Sequence, residues 1–144
     1  MSTHSYTKMW VHLIWGTKNH NKSLIDREFR KEVSKHLAKN SKEKNIYMKI
    51  NYVNSDHVHA LIDLPTNMTI EDASRLLKGE SSNWINNNVD FKFGWGKGYG
   101  AFSVSESNLN KVVRYIMNQE EHHRNHSFTE EYNSFLRTYN INKK

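Results

Sequence analysis

The run from His57 to Leu64, HVHALIDL, constrains the fold of this chain more than any other segment. Three turn-forming residues, Asn54, Ser55 and Asp56, precede it, and Pro65, which cannot extend a strand ladder, stops it. At a side-chain period of two, Val58, Ala60 and Ile62 point to one side and His57 and His59 to the other. A strand divided in this way needs a sheet with one face packed on a core and the opposite face carrying two adjacent imidazoles. Upstream, Ile46–Val53 (IYMKINYV) is also strand-like, so the two runs predict a hairpin across the turn.

Periodicity orders the rest of the chain around that hairpin. Tyr6–Trp15 (YTKMWVHLIW) sets Met9, Val11, Leu13 and Trp15 against Trp10, His12 and Ile14, a strand buried on both faces. Asp26 caps a helix reaching about Lys42, with Phe29, Val33 and Leu37 near helical spacing. Thr69 or a polar neighbour caps a second helix ending at Ile85, with Gly79 as its weak point. Glycines 94, 96, 98 and 100 then form an aromatic connection to a short strand, AFSVS. A third helix, about Asn108 to His122, carries the buried stripe Leu109, Val112, Val113 and Ile116. The tail from Thr129 to Lys144, with Tyr132, Phe135, Leu136 and Tyr139, predicts one more short helix. The order β-α-β-β-α-β-α contains the unit of a ferredoxin-like α+β sandwich. Its antiparallel sheet has helices on one face, a bare face for a site, and an added C-terminal helix. The whole chain, residues 1–144, reads as a single domain, without internal repeat or interdomain linker.

Charge and cysteine usage narrow the chemistry. Lys plus Arg number 21 against 15 Asp plus Glu, a formal charge of +6 that favours phosphate-bearing partners. With no cysteine, disulfide frameworks, thiolate zinc knuckles and thiol nucleophiles are excluded, so any metal must rest on nitrogen and oxygen donors. No run approaches the ~20 apolar residues of a membrane span, and a cytoplasmic location is the expectation.

His57 and His59 are side-by-side candidates for one metal ion, although a wet sheet face with ordinary histidines has the same spacing. A third ligand must come from another element, because a catalytic ion needs several ligands and an open position. On the last helix, Tyr115, Gln119 and His122 share one flank, and Tyr115 and Gln119 lie one turn apart. The plain alternative makes Tyr115 a core-edge aromatic and Gln119 a solvated residue. Together, two imidazoles, an amide oxygen and a phenol suit phosphodiester transesterification. A divalent ion, Mg²⁺ or Mn²⁺, held by His57, His59 and Gln119 would polarise the phosphate while Tyr115 attacks. Asp56 and Asp63 flank the pair; either can brace a histidine or simply face solvent, and Asp63 reads as an ordinary solvated carboxylate. The run Glu120–Arg124, EEHHR, lacks an H-E-x-x-H register and reads as an exposed helix end, with His122 near the site. In and beside the glycine-rich stretch, Arg75, Lys78, Lys92, Trp95, Lys97 and Tyr99 are candidates for gripping DNA phosphates and stacking on bases. The competing reading there is a tight connection with Trp95 filling the core.

Five segments in order, WVHLIWGTKNH, DHVHALIDLP, LLKGESSNWI, GWGKGYGAFSVS and YIMNQEEHH, resemble IS200/IS605-family transposases, the single-tyrosine HUH group. The resemblance spans about residues 6 to 126. It implies that His57 and His59 are the histidine pair, Tyr115 the catalytic tyrosine and Gln119 the glutamine of the Y-x-x-x-Q pattern. It further implies a homodimer whose tyrosine helices complete each other's sites in trans. The implied substrate is single-stranded DNA with hairpins at the ends of a mobile element, cut through a 5′-phosphotyrosine intermediate without ATP. The alternatives are a domesticated nuclease for chromosomal repeat hairpins, a noncatalytic single-stranded nucleic-acid-binding module, and a histidine phosphoesterase.

Overall fold

The computed structural model describes residues 5–141. Four strands form one antiparallel sheet: β1 (Trp10–Gly16), β2 (Tyr47–Val53), β3 (His57–Asp63) and β4 (Gly100–Ser103), in the order β2-β3-β1-β4. Among the described residues five α-helices accompany them: α1 (Arg27–Glu43), α2 (Ile70–Asn86), α3 (Leu109–Met117), α4 (Gln119–His122) and α5 (Phe128–Thr138). This is the expected ferredoxin-like α+β unit with added C-terminal helices. No helix among the described residues is long and apolar enough to cross a membrane.

Local signals explain most boundaries. The Asp26 side chain accepts the Glu28 amide at the start of α1, and Thr69 and Asp72 form a reciprocal capping box on α2. Across the β2–β3 turn, the Asn54 amide donates to the His57 carbonyl at 2.8 Å. The first strand starts at Trp10 rather than Tyr6, because its ladder with β3 ends at the Trp10–Asp63 pair. Met9 instead donates its amide to the Asp63 carboxylate, and Tyr6 is exposed. The last strand is likewise shorter than AFSVS, ending at Ser103. The tail helix forms as expected, although residues 142–144 lie outside the described residues.

One face of the sheet presents Val11, Leu13, Trp15, Val58, Ala60 and Ile62, which pack with Val33 and Leu37 of α1 and Ala73, Leu77 and Ile85 of α2. Each large aliphatic side chain fully buried there contributes about 1.5–3 kcal/mol. The opposite face, expected to be bare, is covered. Leu109 and Ile116 of α3 pack on Trp10 and Leu61, with Val112 and Val113 beside them. Phe128, Tyr132, Phe135 and Leu136 of α5 pack on Ile14 and Phe102. Two glycines admit α5 this closely. A Cβ on Gly16 would stand 2.8 Å from the Phe128 ring, and one on Gly100 would stand 2.8 Å from the Tyr132 ring.

Gly100 and Gly79 therefore predict opposite outcomes for the same substitution. Gly100→Ala should lower stability by about 1–3 kcal/mol, because the Tyr132 and Phe102 rings must move. Gly79→Ala, exposed in α2 with nothing within 4 Å of the new methyl group, should raise it by up to about 1 kcal/mol. Urea denaturation of the two variants measures both signs; equal stability at Gly100→Ala would mean that α5 is not seated by that contact.

Candidate active site and metal centre

The histidine pair sits on the interior strand β3, opposite Ile14 and Gly16 of β1, and both rings are buried. Each ring has one nitrogen held from behind. His57 Nδ1 lies 2.7 Å from Asp56 Oδ1, and His59 Nδ1 lies 2.7 Å from His12 Nε2 on the neighbouring strand. The Nε2 atoms converge on Glu131 Oε1 of α5, at 3.1 Å from His57 and 3.0 Å from His59. His123, just beyond α4, brings its Nε2 to 3.1 Å from the same oxygen, with its Nδ1 2.6 Å from the His126 carbonyl. Donor atoms of His57, His59, His123 and Glu131 all lie within 4.8 Å of one another, a spacing that can hold a metal ion.

The other carboxylate oxygen faces the expected nucleophile. Glu131 Oε2 accepts from the Tyr115 hydroxyl and, at 3.0 Å, from the Gln119 amide. Gln119 Oε1 in turn accepts from Asn54 Nδ2 at 3.2 Å and lies 3.1 Å from His123 Nε2. The helix expected to run unbroken to His122 breaks at Asn118, which has φ −96° and ψ 21°. Tyr115 ends up on α3 and Gln119 on α4, and both still reach Glu131 across the break.

Electrostatics in this dry cluster follow from who faces whom. Burial and then the neighbouring His59 hold His12 well below its ordinary value, and burial lowers His59 to about 4. Burial pushes His57 down as well, but its hydrogen bonds to Asp56 and Glu131 carry it above the ordinary histidine value. Glu131 and Asp56 would be raised by burial; hydrogen bonds from His123, His57 and His59 hold Glu131 far below the carboxylate range, and His57 holds Asp56 below it. Burial, then the Glu131 hydrogen bond, pushes the Tyr115 phenol well up. These hydrogen bonds favour an ionised Glu131 carboxylate and a protonated Tyr115 phenol.

The structure thus brings together His57, His59, Tyr115 and Gln119. His123 is the correction to the reading of EEHHR as an exposed end, because it points into the cluster; His122 lies near the site as expected, its Nε2 3.5 Å from Glu131 Oε2, and stacks on His126 with ring centres 4.7 Å apart. Glu131 was not anticipated. Its signal was an acid within the α5 stripe Phe128, Tyr132 and Phe135, a face otherwise apolar. Asp63 stands apart, bound to the Met9 amide and 3.4 Å from Lys8 Nζ.

Comparison with known proteins agrees with this geometry. Residues 5–119 match the family described as IS200-like transposases. The chain belongs to that family. A protein assigned as a transposase from Deinococcus radiodurans R1, solved at 1.90 Å, superposes on this transposase with a TM-score of 0.66 at 25% identity. That match covers 83% of this chain and 96% of the other. A REP-associated tyrosine transposase bound to a REP hairpin shares the fold, with a TM-score of 0.61 at 14% identity over 85% of this chain and 74% of that one. No curated protein sequence matches. With Tyr115 against a histidine-rich cluster able to coordinate a metal, the site is that of a single-tyrosine HUH transposase.

Around the glycine-rich loop, the transposase divides its expected DNA contacts by environment. Lys78 Nζ donates to the carbonyls of Gly96 and Gly98, both at 2.9 Å, fastening the loop to α2. Trp95 donates to Ser81 Oγ at 2.9 Å and packs edge-on against Trp15 and Phe93. Arg75 pairs with Asp72 at 2.8 Å. Lys92, Lys97 and Tyr99 are exposed.

Asp56 holds the His57 ring from behind, at the nitrogen turned away from the cluster, which makes it testable apart from the ligands. In the transposase, Asp56→Ala should weaken Mn²⁺ binding by about 10–100-fold while leaving the fold intact. Calorimetric titration with Mn²⁺ measures this, and an unchanged affinity would mean that the contact does not orient the ring.

Proposed function

We propose that this transposase cleaves and rejoins single-stranded DNA at hairpin-bearing ends of a mobile element, with Tyr115 as nucleophile. His57, His59 and Gln119 would hold a divalent ion, with Mg²⁺ and Mn²⁺ the two candidates. One observation carries the reading: the Tyr115 hydroxyl and the histidine Nε2 atoms meet on opposite oxygens of a single carboxylate, Glu131. Phenol and ion therefore fall within the reach of one phosphate.

A bound ion would supply positive charge for the nonbridging oxygens of the scissile phosphate. The chain's own residues do the rest. Tyr115 Oη forms a bond to phosphorus as the bond from phosphorus to the 3′ oxygen breaks, leaving a 5′-phosphotyrosine and, once the leaving oxygen takes up a proton, a 3′-hydroxyl. The proton that the phenol loses is balanced by the one that the 3′ oxygen takes up. Attack of another 3′-hydroxyl on the phosphotyrosine reverses these bonds and rejoins the strand, so no nucleotide cofactor is consumed. Asp56 and His12 keep the imidazoles turned inward, and Phe135 of α5 packs edge-on against the Tyr115 ring.

Support for hairpin recognition is the REP-hairpin complex of the structurally similar protein. The exposed Lys92, Lys97 and Tyr99 are the proposed contacts, and binding through them should weaken with salt as phosphate contacts release counterions. A homodimer exchanging tyrosine helices remains part of the proposal on the family resemblance. The geometry does not require the exchange, because Tyr115 lies beside His59 of its own chain, with ring centres 5.9 Å apart.

Tyr115→Phe should abolish the denaturation-resistant protein–DNA adduct formed with labelled hairpin DNA and Mn²⁺, while Tyr132→Phe retains it. Peptide mass spectrometry assigns the attachment point, and an adduct on any other residue would refute the nucleophile. Mixing Tyr115→Phe with a His57→Ala/His59→Ala variant separates the assemblies: regained cleavage reports exchange between chains, and none reports a site used within one chain.

A further inference from the structure

We infer that His123 and Glu131 join His57 and His59 in a four-ligand centre, with Gln119 held beside it by Asn54 and Glu131, and that this centre takes a first-row transition ion in preference to Mg²⁺. The inference rests on the reading of the cluster as the metal site and extends it to two ligands beyond residue 119, where the family match ends.

Each imidazole is prepared as a ligand. The Nδ1 atoms of His57, His59 and His123 have three different partners, Asp56 Oδ1, His12 Nε2 and the His126 carbonyl oxygen, at 2.7, 2.7 and 2.6 Å. All three Nε2 atoms face Glu131 Oε1, with Asn54 Nδ2 3.1 Å from that of His57 and Gln119 Oε1 3.1 Å from that of His123. Backing of this kind, a partner on the far ring nitrogen, is how ligating histidines are oriented, and a solvated helix end has no use for it.

Hydrogen bonding alone gives a poor account of Glu131. Its Oε1 faces three imidazole nitrogens, and its Oε2 already serves Gln119 and Tyr115. That is five would-be donors for a group with about four lone-pair sites. A cation among the three nitrogens and Oε1 relieves the crowding and leaves Oε2 holding the phenol, so one residue would tie the ion to the nucleophile.

The position of Glu131 is also built rather than incidental. Ser127 and Glu130 form a capping box that starts α5 one residue before Phe128. Phe128 stacks on His57 with ring centres 4.1 Å apart at 6°, and Gly16 and Gly100 leave room for Phe128 and Tyr132. Phe128, Glu131, Tyr132 and Phe135 thus share the face that α5 turns to the sheet.

The donor set selects the ion. Three imidazoles and one carboxylate suit Mn²⁺, Co²⁺, Ni²⁺ or Zn²⁺. Mg²⁺ prefers oxygen donors and sheds its waters reluctantly.

Metal-free protein titrated with Co²⁺, followed by visible absorption and calorimetry, tests the inference without relying on activity. Wild type should bind one Co²⁺ per chain, Zn²⁺ should displace it stoichiometrically, and Mg²⁺ in about 100-fold excess should not. His123→Ala and the isosteric Glu131→Gln should each weaken Co²⁺ binding by at least about 10-fold, with circular dichroism showing both folded. If a destabilised His123→Ala clouds the result, Glu131→Gln alone decides. Equal Co²⁺ affinity in wild type and folded Glu131→Gln would overturn the four-ligand centre, and displacement by comparable Mg²⁺ would overturn the ion preference. Four-ligand binding without any Tyr115 adduct would support this centre and count against the proposed function instead.

Discussion

The carboxylate of Glu131 is the point on which the second face of this sheet depends. A buried carboxylate is costly unless hydrogen bonds or opposite charge surround it, and this one is met by His57, His59, His123, Gln119 and Tyr115. These partners come from β3, from α3 and α4, and from the turn after α4. One buried anion therefore draws four separate segments around a single carboxylate. Removing a single partner leaves the rest charged or hydrogen-bonding into an apolar layer, which is why the cluster is expected to hold its geometry as a unit.

What allows α5 to deliver that carboxylate is the absence of side chains at Gly16 and Gly100. Without those gaps the Phe128 and Tyr132 rings would ride higher on the sheet, and a carboxylate between them would not reach the imidazoles. Phe128 serves twice, packing beside Ile14 and Phe102 and stacking on His57. The same helix thus closes the hydrophobic layer and walls the site. The expectation of a bare face failed for this reason: a sheet face with Ile14, Leu61 and Phe102 among its histidines is too apolar to stay uncovered.

The glycine-rich loop shows how the same residue types divide between support and exposure. Lys78 spends its charge on two loop carbonyls, and Trp95 fills space beside Trp15 and Phe93. Lys97 and Tyr99, on the same loop, remain open. Sequence alone made these residues equivalent, since a lysine near glycines reads the same whether it binds a carbonyl or a phosphate.

Much of the architecture was legible before folding was considered. The period-two division of HVHALIDL, the Asn54–Asp56 turn, the Asp26 and Thr69 caps and the Leu109–Ile116 stripe are each decided by residues a few positions apart, and each appears as read. The order of those elements was enough for the ferredoxin-like sheet, and His57, His59, Tyr115 and Gln119 could be named because local spacing and family-like segments marked them. The break at Asn118, the inward turn of His123 and the arrival of Glu131, 72 residues from His59, were decided only by tertiary structure. Their physical cause is long-range: a carboxylate on a helix face carries no local mark of the imidazoles it will meet, and only packing α5 against two glycines and the sheet brings them within hydrogen-bonding distance.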